Sequence, residues 1–149
     1  MLYQKKEREE KMIIKNEFPP NYALIKQAGL SDKNTIFCYG DIIYNPYQKE
    51  IPDDVMFHES IHANQQKQWT SPEIWWNKYI LDKSFRQEME LQAYSAQYQL
   101  IRKTHTTEAA KECLEECARN LSSKVYNLGI SYHQAFTKIR HKTKELWQN

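Results

Sequence analysis

Apolar positions along the 149-residue chain follow two rhythms, and the change from one to the other places the elements. Around residue 40, β-branched and aromatic residues cluster as Thr35-Ile36-Phe37-Cys38-Tyr39 and Ile42-Ile43-Tyr44, with Gly40-Asp41 between them. Such runs favour extended backbone. A glycine-aspartate pair between them reads as a tight hairpin, with one continuous bent strand as the alternative. Asn45-Pro46 ends it. Beyond residue 50 the apolar positions recur every three or four residues, the spacing of one face of a helix.

Punctuation divides this helical half. Ile51-Pro52-Asp53-Asp54 starts a first helix, with aspartate available to cap it and to meet the positive end of its dipole. It runs to about Trp69, and its inner face carries Val55 or Phe57, then His58, Ile61, His62 and Gln65. Thr70-Ser71-Pro72-Glu73 and Ser84-Phe85-Arg86-Gln87 read as capping boxes. The first opens a helix carrying Ile74, Trp75, Trp76, Tyr79 and Ile80, which are core residues by their spacing. The second opens a long helix to about Lys103. Thr106 or Thr107 caps a further helix with Ala110, Cys113, Leu114, Cys117 and Leu121 on one stripe. Ser131-Tyr132-His133-Gln134 opens the last helix, with Ile130 and Ala135 placed for a hydrophobic staple, and Phe136, Ile139 and Leu146 packing inward.

Ahead of the hairpin the pattern is weaker. Lys5–Lys11 alternates in sign, so residues 1–17 read as a charged, frayed arm that Phe18-Pro19-Pro20 stops. Tyr22 to Leu30 suits a short helix closed by Gly29. The expectation is an α+β, predominantly helical, compact single domain over residues 1–149, with a small β-hairpin preceding the helix of residues 51–69.

Composition narrows the function classes. Hydrophobic residues make up 40% of the chain, enough for a core. The 21 basic and 19 acidic residues nearly balance, which gives no field for nucleic acid or a membrane surface. No segment approaches the ~20 apolar residues of a membrane span, and the charged start lacks a signal peptide's apolar run. Three cysteines without a C-x-x-C pair suit a reducing compartment, so the expected location is cytoplasmic. Cys113 and Cys117 stand four apart as ligands could, but they fall where small core residues belong.

The chemistry sits in His58-Glu59-Ser60-Ile61-His62. Histidines four apart on a helix share a face and can bind one zinc ion, and the glutamate between them stands beside the open position as a base for water. Both histidines lie in the apolar stripe, where buried imidazoles need partners. A catalytic zinc takes three protein ligands and keeps one position open. Glu73, Glu88, Glu90, His105, His133 and His141 are the downstream candidates for the third. Glu90 is preferred: its helix neighbours Arg86, Ala93, Tyr94 and Gln97 make a semi-buried stripe, and a carboxylate there needs a partner or a metal. Ala93 leaves room for two helices to approach. Glu88 has Gln92, Ser95 and Gln99 beside it, which reads as a solvated run.

H-E-x-x-H followed by Glu90-Leu91-Gln92-Ala93 resembles the gluzincin arrangement of thermolysin-like and membrane CAAX-protease families, in which E-x-x-A lies on the next helix. Gln65-Gln66, Trp75-Trp76 and Phe85-Arg86 around it further resemble small zincin-like proteins of bacteriophages and prophages. The resemblance implies a zincin-like domain with Zn²⁺ on His58, His62 and Glu90, and Glu59 as catalytic base. It departs in one respect, because the 27 residues from Ala63 to Met89 exceed the thermolysin-type gap. Tyr94, Tyr126, Tyr132 and His133 remain open for stabilising an oxyanion. The expected function is a zinc-dependent metallopeptidase acting on peptides or proteins, with no nucleic-acid or membrane partner. The alternative is a zinc-binding but non-catalytic module of a phage or host assembly. A metal-free helical bundle is the third reading.

Overall fold

The hairpin and the five long helices are all present in the computed structural model, which describes residues 12–147. The fold is α+β and predominantly helical. Phe37–Tyr39 (β2) and Ile42–Tyr44 (β3) pair antiparallel, Cys38 opposite Ile43, so the two runs form a hairpin and not a bent strand. Gly40 takes φ +65° at the first loop position, a conformation that glycine adopts without Cβ strain.

A third strand comes from the stretch expected to be an arm. Ile13–Lys15 (β1) pairs parallel with β3, giving the order β1-β3-β2. Ile13 and Ile14 stay exposed, so main-chain pairing and not burial holds this strand. Lys5–Lys11 lies outside the described residues. Tyr22–Gln27 (α1) follows, and its chain reverses at Gly29, φ +74°.

The helices are Asp53–Lys67 (α2), Pro72–Leu81 (α3), Lys83–Thr104 (α4), Thr107–Leu121 (α5) and Tyr132–Trp147 (α6). Three caps differ from expectation by a residue or two. Pro52 is the first cap, with no side-chain bond, while Asp53 and Asp54 sit inside the first turn near the positive end of the dipole. Ser71 caps α3, with Pro72 at its first position, and Asp82 caps α4 through the Phe85 amide at 3.0 Å. A short aspartate at the sharp α3–α4 corner reaches that amide, and Ser84 already lies in the helix. Thr106 caps α5. Ser131 and Gln134 bond reciprocally, at 3.1 and 2.9 Å, as a complete capping box.

Three apolar clusters result. One joins Ile25 and Phe37 to Trp75, Trp76 and Tyr79, beneath the sheet. Another holds Leu91, Leu114, Leu121 and Ile139 among α4, α5 and α6, where Cys117 is one of the small buried residues. Between them, Ile61 of α2 meets Ala93 and Ala96 of α4. Two alanines on the facing helix permit a close approach, and this seam brings His58 and His62 up to Glu90.

Candidate metal centre

The inner face of α2 is largely polar. His58, Glu59, His62, Gln65 and Gln66 are all buried there, along with Ile61. Each buried polar group requires a partner, and the partners define the site. His58 Nε2 lies 3.2 Å from Glu90 Oε1, and His62 Nε2 lies 3.2 Å from Glu90 Oε2. All three residues are less than a tenth exposed, and their candidate ligand atoms lie within 4.8 Å of one another. Among the described residues no other such group of three is present.

The opposite nitrogen of each ring explains its orientation. His58 Nδ1 is 3.0 Å from Gln97 Oε1, and Gln97 Nε2 donates to Asp54 Oδ2 at 2.8 Å. The carboxylate accepts only, so it fixes which end of the amide carries oxygen. His58 must therefore donate from Nδ1. His62 Nδ1 likewise meets Gln65 Oε1 at 2.8 Å, and Gln65 Nε2 donates to the Met89 carbonyl at 3.0 Å. Both rings thus commit Nδ1–H to an amide oxygen and aim Nε2 at Glu90.

In a neutral ring that leaves an electron pair facing a carboxylate. Glu90 Oε1, although 3.2 Å from His58 Nε2, is a buried oxygen with no hydrogen-bond donor. Two ligands each about 2.1 Å from a tetrahedral zinc stand about 3.4 Å apart, close to the separations seen here. The two nitrogens and the carboxylate therefore fit a divalent cation of zinc type. Without one, a proton on His62 fills part of the role. Burial depresses His62, but the Glu90 carboxylate beside it prevails and raises it to about 9. Burial likewise pushes Glu90 up, and the adjacent His62 and His58 bring it below the ordinary carboxylate range.

Glu59 is buried beside these groups, its Oε2 3.9 Å from His58 Nε2. Burial raises its affinity for a proton, the histidines offset part of that, and Glu90 adds to it. A carboxyl raised in this way can accept and return a proton nearer to neutral pH than an exposed one.

Three tyrosines complete the wall. Tyr79 donates to Glu90 Oε2 at 2.6 Å, occupying the oxygen that faces His62. The Tyr94 ring meets His58 at 4.3 Å, and its hydroxyl lies 2.6 Å from that of Tyr126, in the 3₁₀ turn Lys124–Tyr126. Burial, then Glu90, pushes all three phenols well above their ordinary value, so they stay protonated donors. Tyr132 and His133 are exposed on α6 and are not among the residues lining this cleft. A cleft of about 550 Å³ opens over the site, bordered by Ile36, Phe37 and Cys38.

The remaining ligand candidates lie elsewhere. Glu73, His105, His133 and His141 are exposed. Glu88 pairs with Lys142 of α6 at 3.0 Å. Its neighbours are not the solvated run expected, since Ser95 is fully buried beneath Trp147, whose indole N–H reaches Ser95 Oγ at 3.4 Å. α6 covers that face, which a pattern confined to α4 does not reveal. Tyr79, Gln97 and Asp54 went unrecognised as partners of the site, and only the i+7 relation of Gln97 to Glu90 hinted at one of them. No family model, curated protein or solved structure matches the chain.

Proposed function

We propose that this protein is a zinc-dependent metallopeptidase of gluzincin arrangement, with His58, His62 and Glu90 holding the ion and Glu59 acting as the base. One observation carries the reading: two imidazoles with committed Nδ1 protons aim their Nε2 atoms at a buried carboxylate, one of whose oxygens lacks a donor. A zinc ion so held supplies Lewis acidity for a carbonyl and makes a water acidic near neutral pH.

The rest is work for the chain's own side chains. Glu59 takes the proton of the attacking water and returns it to the leaving amine, a task suited to its raised proton affinity. The Tyr94 and Tyr126 hydroxyls carry two protons, and only one lies between them, so the pair retains a donor for charge developing on the carbonyl oxygen. Tyr79 keeps Glu90 facing the histidines. An extended peptide would lie along Ile36–Phe37, where the hairpin edge borders the cleft. The free cysteines suit a cytoplasmic setting.

The test compares the wild type with Glu59→Gln for zinc content and for cleavage of an unfolded protein substrate. The expected result is one zinc per chain in both, with cleavage lost in the variant. Zinc in both without cleavage by the wild type would assign the chain to a non-catalytic zinc module, and absence of zinc from both would overturn the site itself.

A further inference from the structure

Arg86 is buried, 4% exposed, yet no carboxylate pairs with it among the described residues. A buried charge without a counter-ion is costly unless dipoles solvate it fully. Here four carbonyls do so, and they come from two separate segments. Nη1 donates to Tyr79 O at 2.8 Å and Ile80 O at 3.2 Å, in the last turn of α3. Nε donates to Tyr126 O at 2.8 Å and Nη2 to Asn127 O at 3.3 Å, at the end of the 3₁₀ turn. The α3 carbonyls form the negative end of a helix dipole, which favours a cation. Asn127 is left-handed, φ +50°, so the backbone there needs outside support.

Both segments deliver a phenol to the metal centre. The Tyr79 hydroxyl reaches Glu90, and the Tyr126 hydroxyl reaches Tyr94 against His58. Glu90 itself stands four residues after Arg86, one turn along the same face of α4. One planar guanidinium therefore grips the main chain at the base of two tyrosines whose tips complete the site. We infer that Arg86 is the positioning residue of the metal centre, setting Tyr79 against Glu90 and Tyr126 against Tyr94. It touches no reacting atom and acts through the two tyrosines. Lysine would not replace it, because three donors on one flexible point do not span two segments as the fork does.

This inference rests on the proposed zinc site, and the experiment separates the two. Zinc affinity is measured by chelator competition for wild type, Arg86→Lys, Arg86→Gln and Tyr79→Phe, with far-UV circular dichroism to confirm folding. The visible spectrum of the Co²⁺-loaded form reports ligand geometry independently of turnover. We expect both Arg86 variants to fold, to bind zinc about 10- to 100-fold more weakly, as Tyr79→Phe should also do, and to show an altered cobalt spectrum. Adding Tyr79→Phe to Arg86→Lys should weaken binding by less than the two single losses combined. Folded Arg86 variants with wild-type affinity and spectrum would overturn the positioning role, leaving Arg86 a scaffold residue. Failure of both variants to fold would overturn it as well. A wild type that takes up neither ion would instead sink the zinc reading, and this inference with it.

Discussion

Glu88 and Glu90 show how far single residues can be read. They differ by two positions, yet Glu90 is 3% exposed against both histidines while Glu88 pairs with Lys142 near the surface. The helical neighbours told them apart, since Ala93 and Tyr94 place Glu90 on the packed face. Glu90→Ala should therefore lower zinc affinity by orders of magnitude, and Glu88→Ala hardly at all, as read by chelator competition. Equal losses would place the ligand elsewhere on α4. Tyr79, Gln97 and Asp54 were not legible, because their contacts cross between elements whose packing no local spacing specifies. The His62–Glu90 pair also sets a pH dependence. His62 is raised in the folded, metal-free protein from about 6.5 to about 9, so its protonation stabilises the fold fully below the unfolded value. That contribution should fade as pH rises from about 6.5 through about 9, while zinc affinity climbs over the same window because the ion displaces the proton. Thermal melts of chelator-treated protein and zinc titrations across the range check both slopes, and parallel slopes would contradict the exchange.

Elements were legible where periodicity ran long and obscure where it did not. The five long helices and the hairpin follow from apolar spacing and turn residues, with caps displaced by one or two positions where a corner offered a better-placed side chain. β1 was missed because three residues give no period and Ile13 and Ile14 gain no burial. The hairpin edge also differs from an open template. Gln66 of α2 donates to Cys38 O at 2.8 Å and accepts from the Gly40 amide at 2.7 Å, as a neighbouring strand would. The Trp76 indole shares that carbonyl at 3.0 Å. The edge is therefore closed from Cys38 O to the Gly40 amide, and the part left bordering the cleft is Ile36–Phe37. Gln66→Leu removes both bonds and strands the Gly40 amide, which should destabilise the fold by about 1–3 kcal/mol in urea unfolding. Zinc content should hold, since Gln66 touches none of the ligands. Loss of zinc alongside would show that the hairpin, and not only the α2–α4 seam, maintains the site.

At the scale of the molecule, the metal centre lies where the two large apolar clusters meet. Tyr79 and Trp75 belong to the cluster under the sheet, and Trp75 packs on His62 at 5.6 Å. Tyr94 and Leu91 belong to the cluster of α4, α5 and α6. The seam itself holds the smaller cluster of Ile61, Ala93 and Ala96, with Phe57 and Trp147 packed against it, and buried polar groups add to the joining. A cation held by His58 and His62 of α2 and Glu90 of α4 would tie these two helices through three strong bonds. The unfolded chain has no such preformed site, so binding free energy becomes folding free energy. Zinc at about 100 times its dissociation constant should add about 2.7 kcal/mol to the unfolding free energy. The gain should be global, because parting α2 from α4 breaks a ligand, and Trp75 on His62 and Tyr79 on Glu90 couple the cluster under the sheet to the same two helices. Hydrogen exchange with and without zinc distinguishes this from a local effect. Amides of α2, α3 and α5 should slow together in the zinc form, and Glu90→Ala should abolish the slowing. Protection confined to α2 and the facing turn of α4 would mean that the clusters open independently, with the site a local clasp and not the joint between them.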